Sequence, residues 1–279
     1  MRLGFKTAPQ HTTWRDMLDV WRTGDDIDAF ESGWTFDHFY PIVGDTDGPC
    51  LEGWVTLAAL AQATRRVRLG VLVTGIHYRH PAMLANMAAT LDIVSDGRLD
   101  LGIGAGWNVQ ESGAYGIELG TPKERSDRFE EACQVLIGLL SEERTTFSGR
   151  YYQLEDARCE PKGPQQPHVP ICIGGSGERR TLRTAARFAQ HWNFVGGTLE
   201  DFKHKVEVLH AHCAEVGRDP GEIMISSHVR PSPDGDPGPA VETAAKMAEF
   251  GLDLAIVPLP VPHRAAQLEP IAKAFADLR

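Results

Sequence analysis

The chain has 279 residues, of which 42% are hydrophobic and 24% charged, so its composition is that of a globular protein with a large buried core. Its formal net charge of −10 argues against non-specific nucleic-acid binding, which needs Lys and Arg to meet phosphates. An anionic small ligand is not excluded, because backbone N–H groups can bind one locally despite the overall field.

Cysteine usage and the start of the chain indicate a cytoplasmic protein. The five cysteines are scattered, with no CxxC pair and no spacing typical of a metal site. Such a set is typical of reduced thiols. Met1 leads directly into the strand-like LGFKTA, so no signal peptide is predicted, and no apolar run approaches the length of a membrane span. We therefore expect no membrane partner.

Short runs rich in Val and Ile alternate with segments of helical period along the whole chain. The runs that predict strands are residues 3–8, 34–37, 67–74, 99–104, 170–174, 191–195, 223–228 and 253–257. The clearest helical segments are residues 81–95, 123–141, 178–189, 199–216 and 263–278. The first helix, around residues 24–31, is predicted to be short and acidic.

The strand count decides between two α/β architectures. Right-handed crossovers permit both an open doubly wound sheet and a closed barrel. Eight strand–helix units in about 250 residues favour a closed (β/α)8 TIM barrel. There is no internal repeat and no low-complexity stretch, so we expect one domain covering residues 1–279.

Two segments are longer than a plain barrel needs. Residues 39–51 follow strand two, and residues 142–169 form an insertion after the fourth unit. The insertion contains TTFSGRYYQL, whose alternation predicts a hairpin around Ser148-Gly149. Long loops inside a compact domain are usually functional. We expect both segments to leave the carboxyl ends of strands and cover the substrate.

The sequence CIGGSGERRTL, residues 172–182, predicts a Gly-rich turn between strand five and a helix. Gly174, Gly175 and Gly177 surround Ser176 there. Exposed N–H groups at the positive end of a helix suit a phosphate. The alternative is a tight turn where Gly only permits unusual backbone angles. Its place on a later βα loop favours phosphate binding.

The sequence GIGAGWN, residues 102–108, is a poor match to a dinucleotide fingerprint. A later glycine is missing, and no fitting acidic residue ends the next strand. We interpret it as a strand end where the backbone approaches a flat ligand, with Trp107 as a wall. The alternative is that Trp107 packs between a helix and the barrel.

Strand two ends in Asp37-His38, and strand three ends near Thr74. Histidine titrates near neutrality and can donate or accept a proton. Adjacent strand residues face opposite sides, so only one of the pair can point into the barrel mouth. We assign that position to His38. Thr74, as the last strand residue, is expected to direct its hydroxyl into the mouth.

Together these segments resemble the luciferase-like monooxygenase superfamily, and most of all its actinobacterial branch that uses the deazaflavin coenzyme F420. The resemblance covers nearly the whole chain. Its strongest parts are TFDHFYPI, LEGWVTLAALA, RVRLGVLVTGIHYRHPAMLANMAATLDIVSDGRLDLGIGAGWN, ERTTFSGRYYQL and ICIGGSGERRTLRTAARFAQHWN.

The resemblance implies a (β/α)8 barrel, often a dimer, with the ring of the coenzyme in the mouth. It implies that His38 lies near the reactive carbon of the ring. It also implies that a bulge at Val71-Leu72, where relatives often have a non-proline cis peptide, lies behind the ring. The implied cofactor-binding residues are Asp37, Val71, Leu72, Thr74, Gly106, Trp107, Asn108, Gly174, Gly175, Ser176, Gly177 and Trp192, with His191 and Asn193 lining the same cavity.

Two departures from the family pattern bear on function. Sugar-phosphate dehydrogenases of the superfamily carry a Glu after the strand-four glycines, where this chain has Trp107. The usual Asp before the strand-six WN is Gln190. We therefore expect a different substrate from that of the sugar-phosphate enzymes, and the sequence indicates loss of an acid.

The favoured hypothesis is an oxidoreductase that moves a hydride between coenzyme F420 and a small organic substrate, with His38 handling the proton. One alternative is a monooxygenase that uses flavin mononucleotide (FMN). Another is a non-catalytic flavin-binding barrel. A metal hydrolase using His38, His77 and His80 is disfavoured, because strand one has no HxH, and we expect no metal. The expected partners are a small-molecule substrate and a second copy of the chain, without nucleic acid.

Overall fold

The eight predicted barrel strands are confirmed, and they close into a parallel barrel. This computed structural model describes residues 1–278. The strands are β1 (Arg2–Lys6), β2 (Ser32–Thr35), β3 (Arg68–Val71), β4 (Thr74–Gly75), β5 (Leu99–Gly104), β6 (Thr145–Ser148), β7 (Gln153–Ala157), β8 (Ile171–Gly174), β9 (His191–Phe194), β10 (Met224–His228) and β11 (Leu254–Pro258). The barrel order is β1-β2-β3-β5-β8-β9-β10-β11, and β11 pairs with β1 to close it.

The third barrel strand is in two pieces. β3 pairs with β2 and the start of β5, whereas β4 pairs with the end of β5. A cis peptide bond joins Leu72 to Val73 between the two pieces. The predicted irregularity is therefore present but lies one residue later than Val71-Leu72. Gly102 permits the close approach at this point, since a Cβ there would lie 1.8 Å from the Val71 carbonyl oxygen.

The helices surround the barrel. They are α1 (Trp14–Asp26), α2 (Gly53–Ala63), α3 (Pro81–Val94), α4 (Val109–Ala114), α5 (Pro122–Ser141), α6 (Thr181–Phe188), α7 (Leu199–Val216), α8 (Gly238–Ala248) and α9 (Leu268–Ala274). Capping boxes at Thr121 and Thr198 fix where α5 and α7 begin. No helix within residues 1–278 is both long and apolar enough to cross a membrane.

Two helix predictions were wrong. The first helix is α1, which ends at Asp26, so residues 24–31 are not a short acidic helix. Its apolar positions Met17, Val20 and Trp21 are fully buried, and this amphipathic pattern was overlooked. The last helical segment is interrupted as well, because α9 is flanked by short 3-10 turns rather than spanning 263–278.

Aromatic packing fixes the helices to the outside of the barrel. Phe5 of β1 contacts Trp21 of α1 and Phe30 edge-on, each with ring centroids 5.4 Å apart. A separate apolar cluster within the barrel joins four strand regions and consists of Trp34, Leu72, Cys172, Leu254 and Ile256. Burying one large apolar side chain contributes roughly 1.5–3 kcal/mol. The interior cluster fills the barrel below its carboxyl end.

The insertion at residues 142–169 contains the predicted hairpin, formed by β6 and β7. Its expected place at the mouth was wrong, because the segment runs from the end of α5 to the amino end of β8. Gln165 donates to Asp92 and to the Leu99 carbonyl, each at 2.7 Å, beside the start of β5. Glu131 in α5 accepts N–H groups of the hairpin tip. The Pro-rich end of the insertion therefore lies at the amino ends of the strands. Its hairpin lies on the outer wall, where Tyr152 contacts His80 at a centroid distance of 5.3 Å, and none of its residues lines the cavity described below.

The other long segment, residues 39–51, does lie at the mouth. Gln10 holds it by donating to the Val43 carbonyl at 3.2 Å and accepting the Ile42 N–H at 2.7 Å. An isolated antiparallel β-bridge between Gln10 and Cys50 also connects this segment to the residues that follow β1. Ile42 itself faces the cavity described below.

Candidate active site

A cavity of about 580 Å³ opens at the carboxyl ends of the barrel strands. Residues from the ends of seven barrel strands line the cavity. Six of these lining residues belong to the predicted site. Those six are His38, Leu72, Gly106, Trp107, Gly174 and Gly175. Other lining residues, which the sequence analysis did not select, include Lys6, Phe36, Tyr78, His228 and Arg230.

His38 is oriented by a buried carboxylate. Its Nδ1 lies 2.9 Å from Oε2 of Glu111, and only 9% of the residue is exposed. The ring contacts Phe36 and Trp107 edge-on, at centroid distances of 5.2 and 5.4 Å. Because an ionised carboxylate accepts hydrogen bonds, Nδ1 carries a proton here. The remaining nitrogen, Nε2, is the one available to a ligand in the cavity.

Glu111 is fully buried and accepts four hydrogen bonds. Besides His38, the donors are the Tyr78 hydroxyl and the N–H groups of Phe39 and Tyr40. Burial raises the pKa of this carboxyl, but the hydrogen bonds from His38, Tyr78 and Phe39 outweigh burial and lower it to about 2. Glu111 is therefore ionised at neutral pH and favours a protonated His38 Nδ1.

The sequence analysis noted that the chain has Trp107 in place of an acid, but it missed Glu111. Glu111 lies four residues after Trp107, in α4, and contacts His38, which lines the cavity. Asn108 begins that helix by accepting the Glu111 N–H at 3.1 Å, rather than lining the cavity. The pattern Asn-x-x-Glu directly after a strand is a helix-start signature, and it was the available signal.

Asp37 and Thr74 were predicted at the ligand but face away from the cavity. The Asp37 carboxylate is bound by both terminal nitrogens of Arg79, which also binds Glu52 at 2.9 Å. The Thr74 hydroxyl accepts Nε1 of Trp54 at 2.9 Å. The alternation of side chains along a strand is the cause, because His38 takes the inward position and Asp37 the outward one. Arg79 and Asp37 thus brace the strand ends from outside.

Val71 and Trp192 are also buried outside the cavity lining. Trp192 donates from Nε1 to the Gly175 carbonyl at 2.8 Å, so it supports the Gly-rich turn from behind. His191 bonds through Nε2 to Ser226 at 2.6 Å inside the barrel. Of the three residues expected to line the cavity at β9, only Asn193 does so.

The turn after β8 has the features that a phosphate requires. Gly175 adopts φ +127°, a conformation that other residues rarely adopt. The Ser176 hydroxyl is buried and has no hydrogen-bond partner within residues 1–278. No side chain of the described residues caps the start of α6, although the Leu182 N–H donates to the Gly177 carbonyl at 3.0 Å. The turn therefore fits an anionic group of a cofactor, with Gly177 as its last glycine.

Two further positions fit a flat ligand. Asn193 lines the cavity, and its buried amide oxygen lacks a donor among the described residues, whereas its nitrogen donates to Ser226 at 2.9 Å. Gly106 lies against His77, and a Cβ there would be 2.4 Å from Nδ1 of that ring. Its φ of +88° also favours glycine. Burial lowers the pKa of His77 to about 4, so this wall of the cavity is neutral.

A cationic group stands at the opposite side of the mouth. Lys6, the last residue of β1, donates from Nζ to the Leu72 carbonyl at 3.0 Å and lies 3.3 Å from Nε2 of His228. Burial and the nearby Arg230 lower the pKa of Lys6 to about 8. Burial and Lys6 depress the pKa of His228 well below its usual range. A lysine within the apolar run LGFKTA was a sequence signal that went unused.

The histidines considered as metal ligands have other contacts. His77 bonds through Nε2 to Ser112 at 3.1 Å, and His80 accepts the Ala82 N–H at the start of α3. Within residues 1–278, no group of three or more His, Cys, Asp or Glu side chains is arranged to hold a metal ion.

Comparison with known proteins gives a consistent result. A sequence model of the family described as luciferase-like monooxygenase matches residues 1–276. The chain is 32% identical to an F420-dependent glucose-6-phosphate dehydrogenase of Kineococcus radiotolerans, over 90% of this chain and 74% of that protein. It is 30% identical to an F420-dependent hydroxymycolic acid dehydrogenase of Mycobacterium tuberculosis, over 89% of this chain and 68% of that protein.

Solved structures share the fold. An F420-dependent secondary alcohol dehydrogenase bound to an F420-acetone adduct superposes with a TM-score of 0.89 at 20% identity, covering 100% of this chain and 99% of that one. The F420-dependent tetrahydromethanopterin reductase of Methanopyrus kandleri gives 0.82 at 18% identity, covering 98% and 97%. At these identities the likeness establishes the closed barrel with flanking helices.

Proposed function

We propose that this chain, which belongs to the luciferase-like monooxygenase family, is an oxidoreductase that transfers a hydride between coenzyme F420 and a small organic substrate. The observation that carries the proposal is the His38–Glu111 pair, whose histidine faces the cavity while its carboxylate is buried behind it. The F420-dependent relatives, at about 30% identity over most of the chain, support the choice of coenzyme.

The residues that would hold the coenzyme are those with unused hydrogen-bonding groups. The turn from Gly174 to Gly177 would bind its phosphate through the Ser176 hydroxyl and backbone N–H groups at the start of the helix. Asn193 would accept a hydrogen bond through its unpartnered oxygen, and Trp107 would form a wall. The coenzyme supplies a ring carbon that accepts or donates the hydride when it is bound.

His38 would handle the proton that accompanies the hydride. Nε2 would give a proton to the substrate oxygen in reduction, or take it in oxidation. Glu111 fixes the tautomer by accepting the Nδ1 proton, and it stabilises the charged imidazolium. Tyr78 and the backbone N–H groups that hold Glu111 keep the pair in one geometry. Phe36, Trp107 and Ile42 would exclude water from the reacting atoms.

A titration of the purified protein with oxidised F420 and, separately, with FMN tests the proposal. Tryptophan fluorescence is the readout, because Trp107 lies at the cavity. Tight F420 binding with weak FMN binding is the expected result. Tighter FMN binding, together with oxygen consumption in the presence of reduced FMN, would overturn the proposal in favour of a monooxygenase. Binding of either cofactor with no turnover against a broad substrate panel would indicate a binding protein.

Three further properties complete the proposal. We propose that residues 1–279 act as one domain, that the chain forms a homodimer, and that it works in the cytoplasm. Light scattering on the purified protein at several concentrations tests the homodimer, for which a mass of twice 30.7 kDa is expected. A mass of 30.7 kDa throughout would contradict it.

A further inference from the structure

We propose that Lys6, His228 and Arg230 form a subsite for an oxyanion group of the substrate, a carboxylate or a phosphate, across the mouth from the coenzyme phosphate. This inference rests on the proposed function, because it assigns the Gly-rich turn to the coenzyme. All three side chains line the main cavity, and they also line a small adjoining one of about 120 Å³.

The cations of this subsite lack acidic partners. Lys6 and Arg230 form no ion pair with any carboxylate of the described residues, whereas about half of the other described Arg and Lys side chains form one. The Lys6 ammonium has three donors, of which one binds the Leu72 carbonyl and one faces His228. Within residues 1–278, no hydrogen-bond partner is found for the third donor or for the Arg230 guanidinium, so both are available to a ligand.

His228 holds the Lys6 ammonium in place without adding a charge of its own. Its Nε2 lies 3.3 Å from the Lys6 Nζ. An ammonium can only donate, so Nε2 must accept, which requires a neutral ring. The low pKa of His228 agrees with that state. His228 thus positions the Lys6 ammonium.

The position in the barrel separates this subsite from the Gly-rich turn. In the order β1-β2-β3-β5-β8, the strand carrying Lys6 and the strand before the turn are four steps apart in an eight-stranded barrel. They therefore face each other across the mouth. A ring that extends from the turn towards His38 would leave the β1 and β10 side for the substrate. Phe36 and Ile42 line both cavities and would contact its apolar part.

Other titratable groups near Lys6 do not supply the missing negative charge. Arg230 lowers its pKa, His228 is neutral, and the thiol of Cys172 lies across the barrel interior. Burial raises the pKa of Cys172 well above its usual range, so the thiol is neutral too. A bound oxyanion would be the first negative charge beside Lys6 and would raise the Lys6 pKa.

Calorimetric titration of the F420-loaded protein with acetate, and separately with inorganic phosphate, tests the subsite at constant ionic strength. Wild-type protein is expected to bind at least one of the two at pH 6.5, and the tighter one identifies the group. Affinity should fall about 10- to 100-fold in Arg230→Met, as for loss of a charge-assisted contact. It should also fall at pH 9.5, where Lys6 is neutral. Arg15→Met, an exposed arginine of α1, is the charge-matched control and should bind as wild type does.

Three results would overturn the inference. They are the absence of any anion binding to wild type, equal binding by Arg230→Met, and a tenfold or greater loss of F420 affinity in Arg230→Met. The last result would assign the subsite to the coenzyme phosphate instead. Failure of wild type to bind F420 would contradict the proposed function itself, whatever the anions do, so the two failures are distinguishable.

Discussion

Two histidines line the same cavity in opposite surroundings. His38 bonds to a buried carboxylate that collects four donors, whereas His228 faces the ammonium of Lys6 and lies near Arg230. The carboxylate beside His38 favours a ring that is protonated at Nδ1, whereas the ammonium beside His228 requires a neutral ring that accepts a hydrogen bond at Nε2. The neighbours, and not the residue type, decide that one histidine is suited to proton transfer and the other to placing a cation. We call the side of the cavity formed by His38 and Glu111 the carboxylate end, and the side formed by Lys6, His228 and Arg230 the cationic end.

His38→Ala should have the largest effect. Loss of the proton-transferring group is expected to lower turnover about 10²- to 10⁴-fold, while F420 affinity is retained. Steady-state kinetics and a coenzyme titration on the same preparation measure both. His210→Ala, an exposed histidine on α7, is the matched control and should change neither. Unchanged turnover in His38→Ala with intact coenzyme binding would remove His38 from the mechanism.

Glu111→Gln should destabilise the carboxylate end. The variant leaves the donors of His38, Tyr78 and Phe39 without a charged acceptor, so the free energy of unfolding at pH 7 should fall by about 1–3 kcal/mol. The folded pKa of Glu111, about 2, is below its ordinary 4.5. Its contribution is therefore complete above pH 4.5 and is lost as the pH falls towards 2. Urea unfolding at pH 7 and at pH 3 measures this.

The control for that prediction is Glu118→Gln, which removes an exposed carboxylate just beyond α4. It should leave the free energy of unfolding within about 0.5 kcal/mol of wild type. A Glu111→Gln protein with unchanged stability at pH 7 would show that the four hydrogen bonds contribute nothing net, and the comparison of the two ends would lose its basis.

Lys6→Met, at the cationic end, should raise the free energy of unfolding, whereas Glu111→Gln lowers it. The Lys6 pKa of about 8 is below its ordinary 10.5, so the unfolded chain binds more protons between these values. The ammonium therefore destabilises the fold fully below pH 8, and this penalty disappears above 10.5. We expect the free energy of unfolding at pH 7 to rise by roughly 1–2 kcal/mol, after allowing about 1 kcal/mol for the bond lost to Leu72.

Urea unfolding at pH 7 and at pH 10.5 checks the Lys6 prediction, since the gain should shrink at the higher pH. Lys273→Met is the control, because its exposed ion pair with Glu269 contributes little. A Lys6→Met protein that is less stable than wild type at pH 7 would mean that the ammonium is well compensated in the free protein.

Trp107→Phe should have the smallest effect on stability, because 61% of Trp107 is exposed. We expect a change within about 0.5 kcal/mol in the free energy of unfolding. The fluorescence quenching that accompanies F420 binding should largely disappear. Trp14→Phe, on the outer helix α1, should keep it. Quenching that persists in Trp107→Phe would place the ring elsewhere than beside His38.

The strands of this fold could be predicted from the sequence because each is a short apolar run bounded by a helical segment. The inward position of His38 followed from alternation along a strand. Glu111 could not be recognised in the same way, because its role depends on α4 folding back over the end of β2. The insertion at residues 142–169 was predicted at the wrong edge of the barrel. It follows the helix α5, and segments that follow a helix lead back to the amino ends of the strands. Lys6 was overlooked because it lies within the apolar run LGFKTA.

The most direct test follows a deuterium label from C5 of reduced F420. The protein is incubated with the labelled coenzyme and a panel of small aldehydes and ketones, and the products are analysed by mass spectrometry. The account predicts deuterium on the former carbonyl carbon of a product, formed far more slowly by His38→Ala. Product without the label, or coenzyme oxidation that consumes oxygen and leaves the panel unchanged, would contradict hydride transfer as the reaction of this site.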